Sequence, residues 1–306
     1  MDTSHARSAS QNYVNPPIKP ERDYSEIKTY YSVAGPDYEA WSKNLNMHFG
    51  YCRSWVDIFS LEKMLVNMSD EVLKKLLIVK NNSIIADLGC GVGSVARYAA
   101  EKFPHATIHA ITIVPDQVKK GKELTGKKNI AKQVQFRLDN FEELSIPDHT
   151  FSHAYAIESA CHARGNSKKL FIKEMARTLK PGGRFCIADG FLKHSRKKPS
   201  LFTGIYKTIT RFWAVPGFAD INLFTNELEE NGLYHIEVRE ISWQIAPSVC
   251  HVPWTCIKFL ARELWKNKSL KMRRERWHNV YAPLLGMVLG LYRKHFGYYI
   301  ISGIKK

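Results

Sequence analysis

Residues 84–93 read Ile84-Ile85-Ala86-Asp87-Leu88-Gly89-Cys90-Gly91-Val92-Gly93. A short apolar run followed by glycines at alternate positions describes a buried strand that leaves the sheet through a tight turn. Glycine has no Cβ, so such a turn lets the backbone approach a ligand closely. A dinucleotide fingerprint would be G-x-G-x-x-G. Here Ser94 stands where its third glycine belongs, which weighs against a pyrophosphate ligand. Asp87, just before the turn, is a candidate to organise the loop amides or to receive an ammonium group. On its own the turn would serve equally well as plain structure.

Downstream of it the pattern alternates. A helix is expected over 94–102, a strand over 107–113, a helix over 116–125, and strands over 134–138 and 151–157. A helix over 167–179 is closed by Lys180-Pro181-Gly182-Gly183, and a fifth strand follows over 184–189. Alternation of this kind implies an α/β fold with a parallel sheet covered by helices on both faces. Upstream, residues 1–23 mix Ser, Asn, Pro and charges and read as a flexible tail. Residues 24–80 read as a helical N-terminal cap, rich in aromatics from Tyr30 to Trp55. Residues 190–233 read as an inserted aromatic and basic cap, and 234–245 as a strand. A helical basic insertion over 247–296 then precedes a last strand over 298–304, paired antiparallel with the one before it.

Three blocks together carry a resemblance: Asp87-Leu88-Gly89-Cys90-Gly91-Val92-Gly93, then Asp139-Asn140-Phe141 after the third strand, then Leu179-Lys180-Pro181-Gly182-Gly183 before the fifth. They resemble the class I S-adenosylmethionine (SAM) methyltransferases over about residues 84–190. The resemblance implies a Rossmann-like fold with a seven-stranded, mostly parallel sheet. It implies a SAM-binding core over 81–190, with cap insertions and the last two strands over 191–306. It also implies S-adenosyl-L-methionine as cofactor, with Asp87, Gly89, Gly91 and Gly93 around its methionine part and Asp139 at the adenine amino group, Asn140 and Phe141 beside it. Ile157, at the end of the fourth strand, joins this set. Many members end the second strand with an acid for the ribose hydroxyls. This chain has Thr112 and, five residues on, Gln117. That departure is similar to the form found in cyclopropane synthases and in sterol and tocopherol methyltransferases, and it implies that Thr112 and Gln117 take the ribose or nearby groups.

The run Tyr155-Ala156-Ile157-Glu158-Ser159-Ala160-Cys161-His162-Ala163 resembles a block of the sterol C-24 methyltransferases in which Glu and His line the site of alkene methylation. It lies at the carboxyl end of the fourth strand, where open α/β sheets bind ligands. Attack of an alkene on a sulfonium methyl leaves a carbocation, which a carboxylate and aromatic faces stabilise. Glu158 is therefore the candidate stabiliser or base, and His162 the candidate to orient it or share its proton. Tyr31 and His48 sit in a segment that resembles the cofactor cover of the same families. Aromatics at 202, 206, 212, 213, 218, 254, 259, 265 and 277 are candidates to line an apolar cavity or to form ordinary core. The expected reaction is methylation of an alkene carbon in an isoprenoid: a sterol, a triterpene or a prenyl chain, with a phosphorylated acceptor left open. O- or N-methylation of a small natural product stands beside it, and so does a cofactor-binding protein without catalysis.

Composition sets the bounds. The chain has 306 residues, 44% of them hydrophobic, which is ample for a core. Six cysteines form no C-x-x-C pair and no metal spacing, so reduced thiols in the cytoplasm and no bound metal are expected. The apolar run 282–292 is too short to span a bilayer. A net charge of +16 points to an anionic ligand or to peripheral contact with a membrane. No nucleic-acid-binding motif accompanies the charge, so a nucleic-acid partner is not expected. A homo-oligomer is left open.

Overall fold

The run of residues 84–88 forms the strand β1 (Ile84–Leu88), and it lies at the middle of the sheet. The computed structural model describes residues 24–78, 82–128, 130–193 and 198–306. The tail expected over 1–23 and most of the basic run 193–198 lie outside the described residues.

From β1 the chain passes through α3 (Ser94–Lys102), β2 (Thr107–Thr112), α4 (Pro115–Gly126) and β3 (Val134–Leu138). It then crosses to the other side of β1 as β4 (Phe151–Ile157), continuing through α5 (Lys169–Thr178) to β5 (Leu179–Leu192). The strand order is β3-β2-β1-β4-β5, continued by β8 (Phe296–Lys305) and β7 (Leu233–Glu240); a two-residue strand β6 (Ala219–Asp220) pairs with β5 off this path. The pairs among β1 to β5 are parallel, and β8 is antiparallel to both β5 and β7. The strand order reverses between β1 and β4, so their carboxyl ends open a crevice.

Both faces of the sheet are covered, which is why β1 reads as a continuous apolar run. One face packs Phe151, Phe171, Phe185 and Phe224. The other packs Ile85, Ile108 and Tyr155 against α3 and α2 (Leu61–Lys75). The α2 helix is capped by Ser60, whose side chain accepts from the Lys63 amide, and ends with Lys74 and Lys75 at the negative pole of the helix dipole. Ahead of it, α1 (Ser25–Ala34) leads into a 3-10 turn over Gly35–Ala40, and a second 3-10 turn covers Trp55–Phe59. Residues 41–54 between them have no regular structure, although the sequence there reads as helix.

Three further differences from the sequence expectation have local causes. β5 starts at Leu179, not at 184: Leu179 pairs with Phe151 and Arg184 with His153, and the irregularity between them absorbs the Pro-Gly-Gly, with Gly182 at φ +74°. β7 stops at Glu240, because Ser242 opens α8 (Ser242–Val249) and its hydroxyl accepts the Tyr298 amide that a longer strand would have paired. Finally, only part of 190–233 is cap. α6 (Ser200–Phe212) stands off the sheet, but α7 (Ile221–Glu230) buries Ile221, Phe224 and Leu228 in the core at helical spacing.

The remaining cap is α9 (Val252–Asn267) and α10 (Arg274–Leu291), joined as an antiparallel pair by Arg276–Glu263 and by Cys256 against the Val280 carbonyl. Among the described residues no helix is long and apolar enough to cross a membrane.

Candidate active site

The glycine turn sits at the mouth of the crevice. Gly89, Gly91 and Gly93 have φ of +88°, +54° and +75°, a region that a Cβ disfavours. The amides of Gly89 and Cys90 both donate to the Ile111 carbonyl at 2.9 Å, which fixes the turn to β2. Among the described residues no side chain caps the start of α3, so its first amides are available to an anionic group. Ser94, at the first position of that helix, donates to Asn46 Oδ1 at 2.8 Å and ties the irregular segment 41–54 across the turn.

Asp87, Gly89, Gly91, Thr112, Gln117, Asn140, Phe141 and Ile157 line one cleft, together with Tyr31 and His48 from the N-terminal segment. Gly93 and Asp139 do not line it. A Cβ on Gly93 would lie 2.5 Å from the Phe136 ring, so this glycine allows α3 to close on β3. The Asp139 carboxylate is folded into its own loop, accepting from the amides of Asn140 (2.8 Å) and Ser145 (3.0 Å). Sequence reading missed Tyr24, Asn46, Met47, Val114 and Ser159, which also line the cleft. Asn46 and Met47 stand in the irregular stretch 41–54, beside the His48 that the resemblance marks, where residue spacing carries no signal.

Asp87 and the Thr112–Gln117 pair set the polarity of the cleft. Burial pushes Asp87 up to about 7, with the Tyr155 hydroxyl donating to it at 2.9 Å. Thr112 Oγ1 donates to Gln117 Oε1 at 2.6 Å. With its oxygen so engaged, Gln117 offers its amide nitrogen as the donor.

Glu158 follows β4 at φ +50°, with its amide held by the Ala188 carbonyl at 2.8 Å. Its Oε1 accepts from the Phe49 amide (2.6 Å) and the Tyr298 hydroxyl (2.8 Å). Burial pushes it up to about 8. His162 closes the short 3-10 turn Ala160–His162, and its Nε2 meets the Tyr31 hydroxyl at 2.9 Å. Glu158 and His162 are therefore not bonded to each other; each has its own tyrosine. Burial lowers both His162 and His48 to about 4, so both rings are neutral at pH 7. His48 Nδ1 bonds the Phe49 carbonyl at 2.9 Å and so carries the proton, which leaves Nε2 as a bare acceptor without a partner among the described residues.

The loop under these groups is held by a residue the sequence did not single out. Lys168 is fully buried, and its Nζ donates to the carbonyls of Cys161 (3.1 Å), Ala163 (2.7 Å) and Gly217 (2.5 Å). Asp189 faces the same loop, accepting from the Cys161 amide at 2.9 Å.

A second cavity of about 720 Å³ adjoins the cleft beneath the cap. Tyr31, Met47, His48, Glu158 and His162 line both, so they form the wall between them. Of the aromatics expected to line a cavity, Trp213, Phe218 and Phe259 do so, joined by Trp41, Phe49 and Phe296. Phe202 and Tyr206 are core between α6 and α10, Phe212 stacks on His278, Trp277 stacks on Tyr281, and Trp254 and Trp265 are exposed.

Comparison with known proteins meets this geometry. A family model described as a methyltransferase domain matches residues 85–183. A 2-methyl-6-phytyl-1,4-hydroquinone methyltransferase of Synechocystis is 33% identical over 53% of this chain, a match that spans about half (49%) of that relative. A sterol 24-C-methyltransferase of Eremothecium gossypii is 30% identical over 55% of this chain and 43% of its own length. The O-methyltransferase resE of Aspergillus sclerotiorum is 30% identical over 67% of this chain and 74% of its own length. In fold, the cyclopropane synthase MmaA2 of Mycobacterium tuberculosis superposes with a TM-score of 0.79 at 13% identity, covering 94% of this chain and all of the other. Identity of that extent with a methyltransferase, over nearly three quarters of its length, together with the matching methyltransferase-domain model, establishes that the chain belongs to the class I S-adenosylmethionine-dependent methyltransferases.

Proposed function

We propose that this methyltransferase alkylates an alkene carbon of an isoprenoid acceptor, with Glu158 as the group that stabilises the resulting cation and removes its proton. The observation that carries the reading is the shared wall: a buried carboxyl and neutral imidazoles between a polar cleft and a large aromatic-lined cavity.

The residues of the cleft fit S-adenosylmethionine. A carboxyl that burial raises to about 7, with a phenol donating to it, suits an incoming ammonium at Asp87. The uncapped start of α3 suits a carboxylate, the Thr112–Gln117 pair suits ribose hydroxyls, and Phe141 and Val114 suit the base. Asn140 beside Phe141 offers amide contacts there, and with Asp139 turned inward it is the better candidate of the two for the base edge. When bound, S-adenosylmethionine supplies an electrophilic methyl on a sulfonium centre. As the acceptor's π pair bonds that carbon, the methyl–sulfur bond would break with its pair left on sulfur, and a cation would remain on the adjacent acceptor carbon. Glu158 then takes a proton from a neighbouring carbon, whose C–H pair becomes the new double bond. Phe49, Tyr298 and Trp213 surround the cavity side with aromatic faces suited to a cation. Positioning by the cavity walls supplies much of the rate.

The relatives support this acceptor class: two are described as acting on a phytyl-bearing hydroquinone and on a sterol. One observation favours a second reading. The bare Nε2 of His48 on the shared wall is placed to accept a hydroxyl proton, as O-methylation of a phenol requires, and the fungal relative is described as an O-methyltransferase. Incubation with methyl-labelled cofactor and a panel of sterols, squalene, prenyl diphosphates and prenylated phenols, followed by NMR of the product, separates the two. A new carbon–carbon bond supports the first, and a methoxy signal the second. Glu158→Gln should lower kcat at least about 100-fold for the first reaction while the cofactor Kd, read by calorimetry, stays within threefold. Full turnover in that variant rules out the role given to Glu158.

A further inference from the structure

Four of the seven tryptophans of this chain are not in its core. Trp55, Trp243, Trp254 and Trp265 are 60–75% exposed, and Phe59 (75%) and Leu291 (78%) stand out with them. Exposed large apolar groups that gather on one surface mark an interaction site.

The gathering follows from the contacts of the cap. An α-helix turns about 100° per residue, so Trp254, Ile257, Ala261, Leu264 and Trp265 fall within an arc of about 100° on α9, nearly opposite its buried Val252, Thr255, Phe259 and Glu263. The 3-10 turn bearing Trp55 and Phe59 is fastened beside the start of α9, because His251 Nε2 meets the Ile58 carbonyl at 2.8 Å. The adjacent strand of chain is fastened to α8 by the Cys52 amide on the Gln244 carbonyl. A second group of exposed apolar side chains stands at the cavity. Trp243 and Leu291 line the 720 Å³ cavity while remaining exposed, so they form its rim, and the Arg293 guanidinium lies 5.0 Å from the Trp243 ring. Exposed apolar groups therefore stand both at the mouth of the cavity and along the outer face of α9.

Charge accompanies it. Between residues 254 and 276 the chain carries eight Lys and Arg against two Glu. Glu263 is buried against Arg276, whereas Lys258, Lys266, Lys268, Lys271, Arg273 and Arg274 are exposed. Tryptophans beside lysines on the outer face of a surface helix are the composition of an element that lies in the headgroup region of a bilayer.

We propose that α9 and the Trp55–Phe59 turn dock this protein on an anionic lipid surface, with the cavity rim at Trp243 and Leu291 turned to the bilayer so that an apolar acceptor passes into the cavity without crossing water. The passage of the acceptor rests on the function proposed above; the docking surface does not. An anionic membrane matches both features, the apolar stripe and the excess of cations beside it.

The full chain should float with phosphatidylcholine vesicles containing phosphatidylglycerol at low salt and not with phosphatidylcholine alone. Its tryptophan emission should be quenched by brominated acyl chains. Trp254→Ser combined with Trp265→Ser should lower partitioning at least about tenfold, since both residues lie outside the cleft and the cavity. Lys266→Glu with Lys268→Glu should lower it by a similar factor and steepen with salt removal, each cation near the surface being worth about fivefold. Both variants should keep the thermal midpoint and cofactor affinity of the parent. Failure of the full chain to bind anionic vesicles overturns the proposal. So does undiminished binding by the tryptophan variant, or a stable dimer in solution that shields these tryptophans from aqueous quenchers. The vesicles contain no isoprenoid acceptor, so binding is read without turnover. Docking together with exclusive methylation of water-soluble phenols would leave this surface standing and remove the isoprenoid reading.

Discussion

Two carboxyls on the cleft hold their protons far longer than they would in water. Burial raises Glu158 to about 8 and Asp87 to about 7, while both titrate near 4 in the unfolded chain. Between those values the folded state binds more protons than the unfolded one, so their contribution to stability is fully present below about 4 and is lost as pH rises through 7 and 8. His48 and His162, lowered to about 4, act in the opposite sense: their contribution is present above about 6.5 and is lost as pH falls. The rings are neutral in both states only above about pH 7.5, and buried Lys168, lowered to about 8, acts in the same sense as the rings over this range. The two carboxyls by themselves should therefore remove about 1–3 kcal/mol between pH 6.5 and 9, read as the pH slope that Asp87→Asn and Glu158→Gln each flatten relative to the parent. Asp87→Asn keeps the shape and the tyrosine bond but cannot ionise. It should stabilise the ligand-free protein at pH 9 and weaken S-adenosylmethionine binding about 10- to 100-fold. Scanning calorimetry across pH and titration calorimetry read the two effects, and wild-type affinity in that variant would remove the charge pairing assigned to Asp87. A cation beside Glu158 favours its carboxylate, so turnover should rise with pH to a plateau whose midpoint lies below 8.

At the scale of elements, the glycines of one turn have different tasks. Gly91 and Gly89 line the cleft, whereas Gly93 is required by packing, because a Cβ there would enter the Phe136 ring from a left-handed backbone. Gly93→Ala should cost about 2–4 kcal/mol in chemical denaturation, through strain and overpacking, and should shift cofactor affinity much less than the same change at Gly91. The core strands and the helices between them were legible because each is short, buried on both faces and punctuated by turn residues: β1, β3 and β4 fall on the residues their patterns mark. The errors lie where one pattern serves two structures. The alternation that ends β7 continues into Trp243 and Ile245, which are helical in α8, and only the Ser242–Tyr298 bond decides where the strand stops. α7 was hidden in an aromatic-rich stretch because its apolar spacing is too brief to separate from its surroundings. Of the candidate site residues, those on strand ends came together in the cleft. Asp139 came close in sequence but turned into its own loop, a choice made by the Ser145 amide six residues away.

Across the whole molecule, the acceptor cavity exists because distant parts of the chain meet, and no local pattern could have announced it. Its roof joins the N-terminal 3-10 turn to the α9–α10 pair through one residue: Arg276 donates to both oxygens of Asp37 (2.7 and 2.9 Å) and to Glu263 (2.9 Å), with Asp37 lying 239 positions earlier in sequence. Burial holds Asp37 above the ordinary carboxylate range even with the guanidinium beside it, whereas Glu263 is drawn below that range. Removing the shared cation would strand two carboxylates that are each less than 10% exposed. Arg276→Met keeps most of the volume and the contact with Phe259, over which the guanidinium lies at 5.1 Å, but supplies no charge. It should cost about 2–4 kcal/mol of stability and loosen the roof over the cavity while leaving the glycine turn untouched. The acceptor KM should then rise about tenfold or more, with the Kd for S-adenosylmethionine within twofold of the parent. Steady-state kinetics beside calorimetry separate these effects. An equal loss in both would mean that cap and cleft act as one unit, and no change in KM would mean that the roof does not shape the acceptor site.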